Sequence, residues 1–86
     1  MAKAVLEYNN VTTILGNDVV VLGRSLESTI VLEDTEASRV HALILPNGDR
    51  YILLDFKSAN GTKVNSRYIT WCYLQDGDII ELSNER

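Results

Sequence analysis

The chain has 86 residues, 45% of them hydrophobic and 23% charged, and a formal net charge of −4. That length supports one modest core, and the balance of apolar to charged residues is that of a folding globule rather than a disordered segment. The acidic excess argues against nucleic acid, whose backbone needs a basic face, and no apolar run approaches the roughly 18 residues of a membrane helix. A single soluble, cytoplasmic domain over residues 1–86 is expected.

In chain order, strand signals recur and helix signals are nearly absent. Residues 4–8 read as a first strand. The turn Gly16-Asn17-Asp18 leads into Val19-Val20-Val21-Leu22, and Ile30-Val31-Leu32 follows; both are unbroken apolar runs, the pattern of strands covered on both faces. Residues 41–45 and 51–54 flank Pro46-Asn47-Gly48-Asp49, where Asn-Gly supplies the positive φ of a tight hairpin. Gln75-Asp76-Gly77-Asp78 is a further turn before the apolar run at 79–82. Short strands separated by turns predict an all-β fold, a two-sheet antiparallel sandwich. The irregular stretches 33–39 and 57–62 are loops, the places on a rigid β scaffold where binding residues gather.

Cys72 is the only cysteine and His41 the only histidine. Cys72 lies between Trp71 and Tyr73 with no basic neighbour in sequence, which describes a strand thiol and not a nucleophile. His41 lacks the partners of a catalytic triad and a second metal ligand, so it reads as a structural histidine hydrogen-bonded behind a loop. Asp76 and Asp78 sit in a glycine turn without the long acidic loop of a calcium site. No enzyme chemistry, cofactor or metal follows from this set. The charges are unevenly placed: acids crowd residues 27–36 and the stretch from Asp76 onward, whereas residues 56–75 hold Lys57, Lys63 and Arg67 and no acid. Such a local patch suits an anion on an otherwise acidic surface.

Four short stretches have bland readings one at a time: Arg24 and Arg39 as solvated cations, Ser38 as a loop hydroxyl, Asn60-Gly61 as a turn. Their order and spacing are more specific. Gly23-Arg24, Ser38-Arg39-Val40-His41, Ser58-Ala59-Asn60-Gly61-Thr62 with Val64-Asn65 after it, and Gly77-Asp78-Ile79-Ile80 follow one another between about residues 20 and 82. In these motifs the chain resembles the forkhead-associated (FHA) domain family, with its Gly-Arg, Ser-Arg-x-His, Ser-x-Asn-Gly-Thr and Gly-Asp-x-Ile.

The resemblance implies a module that binds phosphothreonine-containing protein or peptide and assembles kinase-dependent complexes. It assigns Arg24 and Ser38 to phosphate, Asn60 to the peptide main chain and Arg39 to a secondary contact on the rim. Gly23, His41, Ser58, Gly61, Thr62 and Asn65 would shape the loops from behind. Physical chemistry agrees: a phosphothreonine carries nearly two negative charges and three strong acceptors, so its pocket needs a fixed cation and neutral donors. Glu36 would lie near the third peptide residue after the phosphothreonine and disfavour acids there. An alternative is a structural interaction module on the same fold that needs no phosphate.

The chain departs from the family pattern in four places. Ala59 stands where many members carry a hydroxyl, Ser66 replaces a Gly after Val-Asn, and Ser83 replaces a Gly after the last apolar run. The sequence stops at Arg86, short of the family's usual final strand, which leaves an open sheet edge and a route to oligomers as an expectation.

Overall fold

The computed structural model describes residues 4–8 and 11–82. They form ten short strands and no helix: β1 (Ala4–Tyr8), β2 (Val11–Leu15), β3 (Val20–Gly23), β4 (Ile30–Val31), β5 (Ala42–Asn47), β6 (Arg50–Asp55), β7 (Thr62–Val64), β8 (Arg67–Ile69), β9 (Trp71–Tyr73) and β10 (Ile80–Glu81). The expected all-β sandwich is what the chain builds. A five-stranded sheet in the order β4-β3-β5-β6-β9 carries the larger layer. Opposite it, the β1-β2 hairpin and the three-stranded sheet β10-β7-β8 pack inward-facing residues onto a common core.

That core is Leu15, Val20, Leu22, Ile30, Leu32, Ala37, Ala42, Ile44, Leu53 and Val64. Leu22, Ile44 and Leu53 are its largest fully buried apolar side chains, each worth about 1.5–3 kcal/mol in buried surface. Cys72 packs half-buried against the same cluster. Burial first, and the Asp78 carboxylate second, push its thiol above the ordinary value, so it stays protonated at neutral pH, as an inert strand thiol should.

The structure corrects the strand reading in three respects. The 30–32 run is not covered on both faces: Ile30 and Leu32 are buried while Val31 is exposed, because β4 is an edge strand of two residues. It also pairs with β3 in parallel, Leu22 opposite Ile30, in an otherwise antiparallel sheet. Strands β2, β7 and β8 carried no signal strong enough to predict them; they are three to five residues long, β2 and β8 are largely exposed, and β7 buries Thr62 and Val64 around Lys63. At the β5-β6 hairpin, Asn47 is still a strand residue opposite Arg50, and Gly48 alone carries the positive φ at 65°. A two-residue connection with positive φ at its first position is the type II′ arrangement.

The Ser66 departure has a visible consequence. Val64 pairs with Arg67 and the intervening Asn65 and Ser66 have φ of 53° and 71°, a type I′ turn that holds a serine in the left-handed region at a cost of about 1–2 kcal/mol. Ser83 lies outside the described residues. Among the described residues β1 pairs only with β2 and β10 only with β7. Between them runs an apolar groove lined in part by Leu6, Tyr8, Leu32, Ile80 and Leu82.

Candidate functional site

Three loops converge at one end of the sandwich: residues 24–29 between β3 and β4, 32–41 between β4 and β5, and 56–61 between β6 and β7. The first two are laid side by side by backbone hydrogen bonds, Arg24 N–H to Ser38 O at 3.0 Å and Ser25 N–H to Arg39 O at 3.1 Å. Gly23 makes this contact possible. A Cβ there would collide with the carbonyl of Arg39 and approach Ser28 Oγ within 2.9 Å, so any larger residue would lift the second loop off the first.

His41 joins the second loop to the third. It is completely buried, its Nδ1 accepts from Ser38 N–H at 3.0 Å, and its Nε2 faces Gly61 O at 2.8 Å. A backbone N–H can only donate and a carbonyl can only accept, so the imidazole is held as the neutral tautomer with its proton on Nε2. Phe56 N–H closes the connection on His41 O at 2.9 Å.

Asp55, at the end of β6, organises the third loop and was missed in the sequence. Its carboxylate accepts from Ser58 Oγ at 2.5 Å, Thr62 Oγ1 at 2.7 Å and Ser58 N–H at 3.3 Å. Burial works against its ionisation, but these hydrogen bonds outweigh burial and hold the carboxyl below its ordinary value. Ser58 Oγ in turn accepts from Gly61 N–H at 3.0 Å, and Thr62 is fully buried. A carboxylate three residues before a serine is the signature of a side-chain-capped turn, and that spacing was the signal available. Gly61 has φ of 88°, and a Cβ there would lie 2.7 Å from the Tyr68 ring. Lys63 Nζ in turn sits 4.9 Å from the centre of that ring.

The exposed side of the cluster looks different. Arg24 is exposed, and its guanidinium spends one donor, Nε to Ala37 O at 3.1 Å. Anchored there, its terminal nitrogens have no partner among the described residues. Ser38 Oγ accepts from Ala59 N–H at 2.8 Å, which leaves the hydroxyl proton to donate elsewhere. The residue-59 departure is thereby explained in part, since position 59 acts here through its backbone. Asn60 Nδ2 donates to Glu36 O at 2.7 Å and approaches Glu36 Oε1 at 3.4 Å; among the described residues its Oδ1 has no donor. Arg39 is exposed with its side chain unpartnered among the described residues.

Arg24, Ser38, Arg39 and Asn60 are therefore brought to one three-loop rim, with Gly23, His41, Ser58, Gly61 and Thr62 directly behind it. Asn65 is not among them. It belongs to a second network with the Gly77-Asp78 turn: Asn65 Nδ2 donates to Asp78 Oδ1 at 2.9 Å, its Oδ1 accepts from Ile79 N–H at 3.0 Å, and Asp78 Oδ2 accepts from Gln75 N–H at 2.8 Å. These bonds join the β7-β8 turn to the start of β10 rather than to the rim. Among the described residues no group of three or more His, Cys, Asp or Glu side chains could hold a metal ion, and no helix is long and apolar enough to cross a membrane.

Comparison with known proteins identifies the family and the fold. The FHA domain family model matches residues 20–83. An oxoglutarate dehydrogenase inhibitor of Corynebacterium jeikeium is 37% identical over 73 residues, 85% of this chain and 51% of its own length. Among solved structures, the FhaA FHA domain complexed with the intracellular domain of another protein superposes with a TM-score of 0.82 at 32% identity, covering 94% of this chain and 89% of that one. Mycobacterium tuberculosis EmbR in complex with a low-affinity phosphopeptide superposes with a TM-score of 0.80 at 32% identity, covering 86% of this chain and 20% of that one. The chain spans about half the length of the Corynebacterium relative and 36% and 9% of two further curated relatives.

Proposed function

Because the chain belongs to the FHA domain family, we propose that its three-loop rim binds phosphothreonine-containing peptides, with Arg24 and Ser38 on the phosphate and Asn60 on the peptide backbone. The observation that carries this reading is the unspent donor capacity of the rim. Arg24 is fixed through Nε to Ala37 O and Ser38 is anchored as an acceptor, and among the described residues the other Arg24 nitrogens and the Ser38 hydroxyl proton have no partner. A preoriented cation beside a neutral donor is what a dianion with three acceptor oxygens selects. Asn60 keeps an open carbonyl for a peptide N–H, while its amide nitrogen, held by Glu36, braces two loops. Arg39 adds positive charge on the same rim. The module carries out no reaction: its one histidine is locked between two backbone groups and its one thiol faces the core. In this reading it acts in the cytoplasm, where it couples kinase activity to complex assembly.

Calorimetry with a phosphothreonine peptide and its unphosphorylated twin tests the reading. The expected result is micromolar affinity, about −8 kcal/mol, for the first and far weaker binding for the second. Equal affinity for both would favour the phosphate-independent interaction module instead.

A further inference from the structure

The side of the five-stranded sheet that faces away from the core is as apolar as the side that faces it. Alternation along the strands and the pairing register set two continuous rows across that outer face. One runs Val21, Leu43, Leu54, Trp71 over β3, β5, β6 and β9; the other runs Leu45, Ile52, Tyr73 over β5, β6 and β9. None of the seven belongs to the core cluster or to the residues packed on it. Trp71 is 53% exposed and meets Tyr73 edge to face at 5.7 Å. Apolar residues on both faces of a sheet are the pattern of a sheet covered on both sides, yet on this side Trp71 is exposed and the other six are only half-buried.

Charge and area indicate what covers it. The outward positions of these strands hold no acidic side chain. Their one charged residue, Arg50, is stacked with its guanidinium carbon 3.7 Å from the Tyr73 ring centre. Asp55, the one acid on these strands, alternates to the opposite face with Leu53, so two copies of a chain with net charge −4 can meet here without opposing carboxylates from the strands. The five strands hold 21 residues in all; at ~3.4 Å per residue and about 4.8 Å between strands they make a face on the order of 340 Å² in projection. A patch of that size is large enough to be a functional surface on a monomer. Two such faces together bury on the order of 700 Å², below the roughly 1,200 Å² of stable assemblies, which sets the contact in the weak class.

We propose that this outer face packs against the same face of a second copy, forming a weak, reversible twofold dimer with the Trp71 side chains in the contact. A self-complementary apolar face suits the isologous contact of a twofold pair, and a buried tryptophan is a common anchor of such interfaces. The three loops of the peptide-binding rim are not part of this face, so the dimer carries two rims and gains avidity for doubly phosphorylated or clustered targets.

Sedimentation equilibrium from about 10 μM to about 1 mM, the range in which an interface of this size associates, tests the proposal. Trp71 is the chain's only tryptophan, so its emission reports on this face alone and should shift to the blue as the dimer forms. Leu43→Lys and, separately, Leu54→Lys should each weaken association at least tenfold and abolish the shift while circular dichroism and phosphopeptide affinity are retained. If a lysine variant loses its fold, the other variant and the concentration-dependent shift of the unsubstituted protein decide. A monomer at all concentrations with constant Trp71 emission would overturn the proposal. So would a dimer that both lysine variants keep, or a Trp71 shift produced by neutral lipid vesicles in a protein that stays monomeric.

Discussion

His41 and Arg24 belong to the same loop cluster and differ in almost every physical respect. His41 is buried, neutral and bonded at both ring nitrogens to backbone groups of two different loops. Arg24 is exposed and charged and uses one donor of five on Ala37 O. Asp55, Ser58 and Thr62 share the condition of His41; Ser38, through its hydroxyl proton, and Arg39 share that of Arg24. A residue whose hydrogen-bonding capacity is consumed by its own fold maintains the site's shape, whereas one whose capacity is oriented but unspent is available to a ligand. Asn60 straddles the two, with its nitrogen spent and its oxygen open.

Substitutions can break that distinction, and the largest effect should come from the spent side. His41→Ala leaves a cavity and orphans Ser38 N–H and Gly61 O, each buried unpaired group costing about 1–3 kcal/mol. Denaturant titration should show a loss of roughly 2–4 kcal/mol, with weaker phosphopeptide binding as a secondary effect. Intact stability with abolished binding would instead make His41 a ligand residue.

Arg24→Ala should do the reverse. Losing one part-buried bond to Ala37 O costs about 1 kcal/mol, while losing a charge-assisted contact to phosphate costs about 1.5–3 kcal/mol, roughly 10- to 150-fold in affinity. Calorimetry paired with thermal melts separates the two. A variant that unfolds and still binds when folded would reverse the roles.

Asp55 sharpens the comparison through pH. Its carboxyl is held below its ordinary value of 3.8 in the folded state, so ionised Asp55 contributes stability above that value. The contribution is lost as pH falls through the lower folded value. Acid unfolding of the native chain should therefore steepen below about pH 4, and Asp55→Asn should flatten that limb in pH-dependent denaturation. An unchanged acid limb would place the loop's acid sensitivity elsewhere.

The smallest effect concerns specificity. Glu36 lies beside Asn60 at the rim, and its exposed charge should disfavour acidic peptide residues by about 0.2–1 kcal/mol, several-fold at most and less in salt. Glu36→Lys should move peptide-library selection toward Asp or Glu three residues after the phosphothreonine. An unchanged profile would shift the search to Lys63 and Arg67.

Much of this protein was legible in its sequence, for reasons that are local. Apolar runs bounded by glycine turns located β3, β5, β6 and β10, because strand periodicity and turn chemistry act over a few residues. Gly23-Arg24, Ser38 to His41 and Ser58 to Thr62 were bland one at a time and became legible through their order and spacing, which match the FHA pattern; the close approach at Gly23 and the positive φ at Gly61 give the physical reason those residue types stand there. The role of Asp55 was not conspicuous, since an aspartate at a strand end has many ordinary readings. Its importance rests on Ser58 and Thr62 folding back onto it.

Tertiary structure alone decided the rest. It set which tautomer His41 adopts, because Ser38 and Gly61 lie 23 residues apart in sequence and meet only through that ring. Tertiary contacts also placed Asn65 with Asp78 rather than with the rim. Most of all, the fold decided that an apolar run such as Tyr51-Ile52-Leu53-Leu54 buries Leu53 in the core while Ile52 and Leu54 face outward. Hydrophobicity is written into the sequence residue by residue, but the second surface that covers an outward row must come from elsewhere in space.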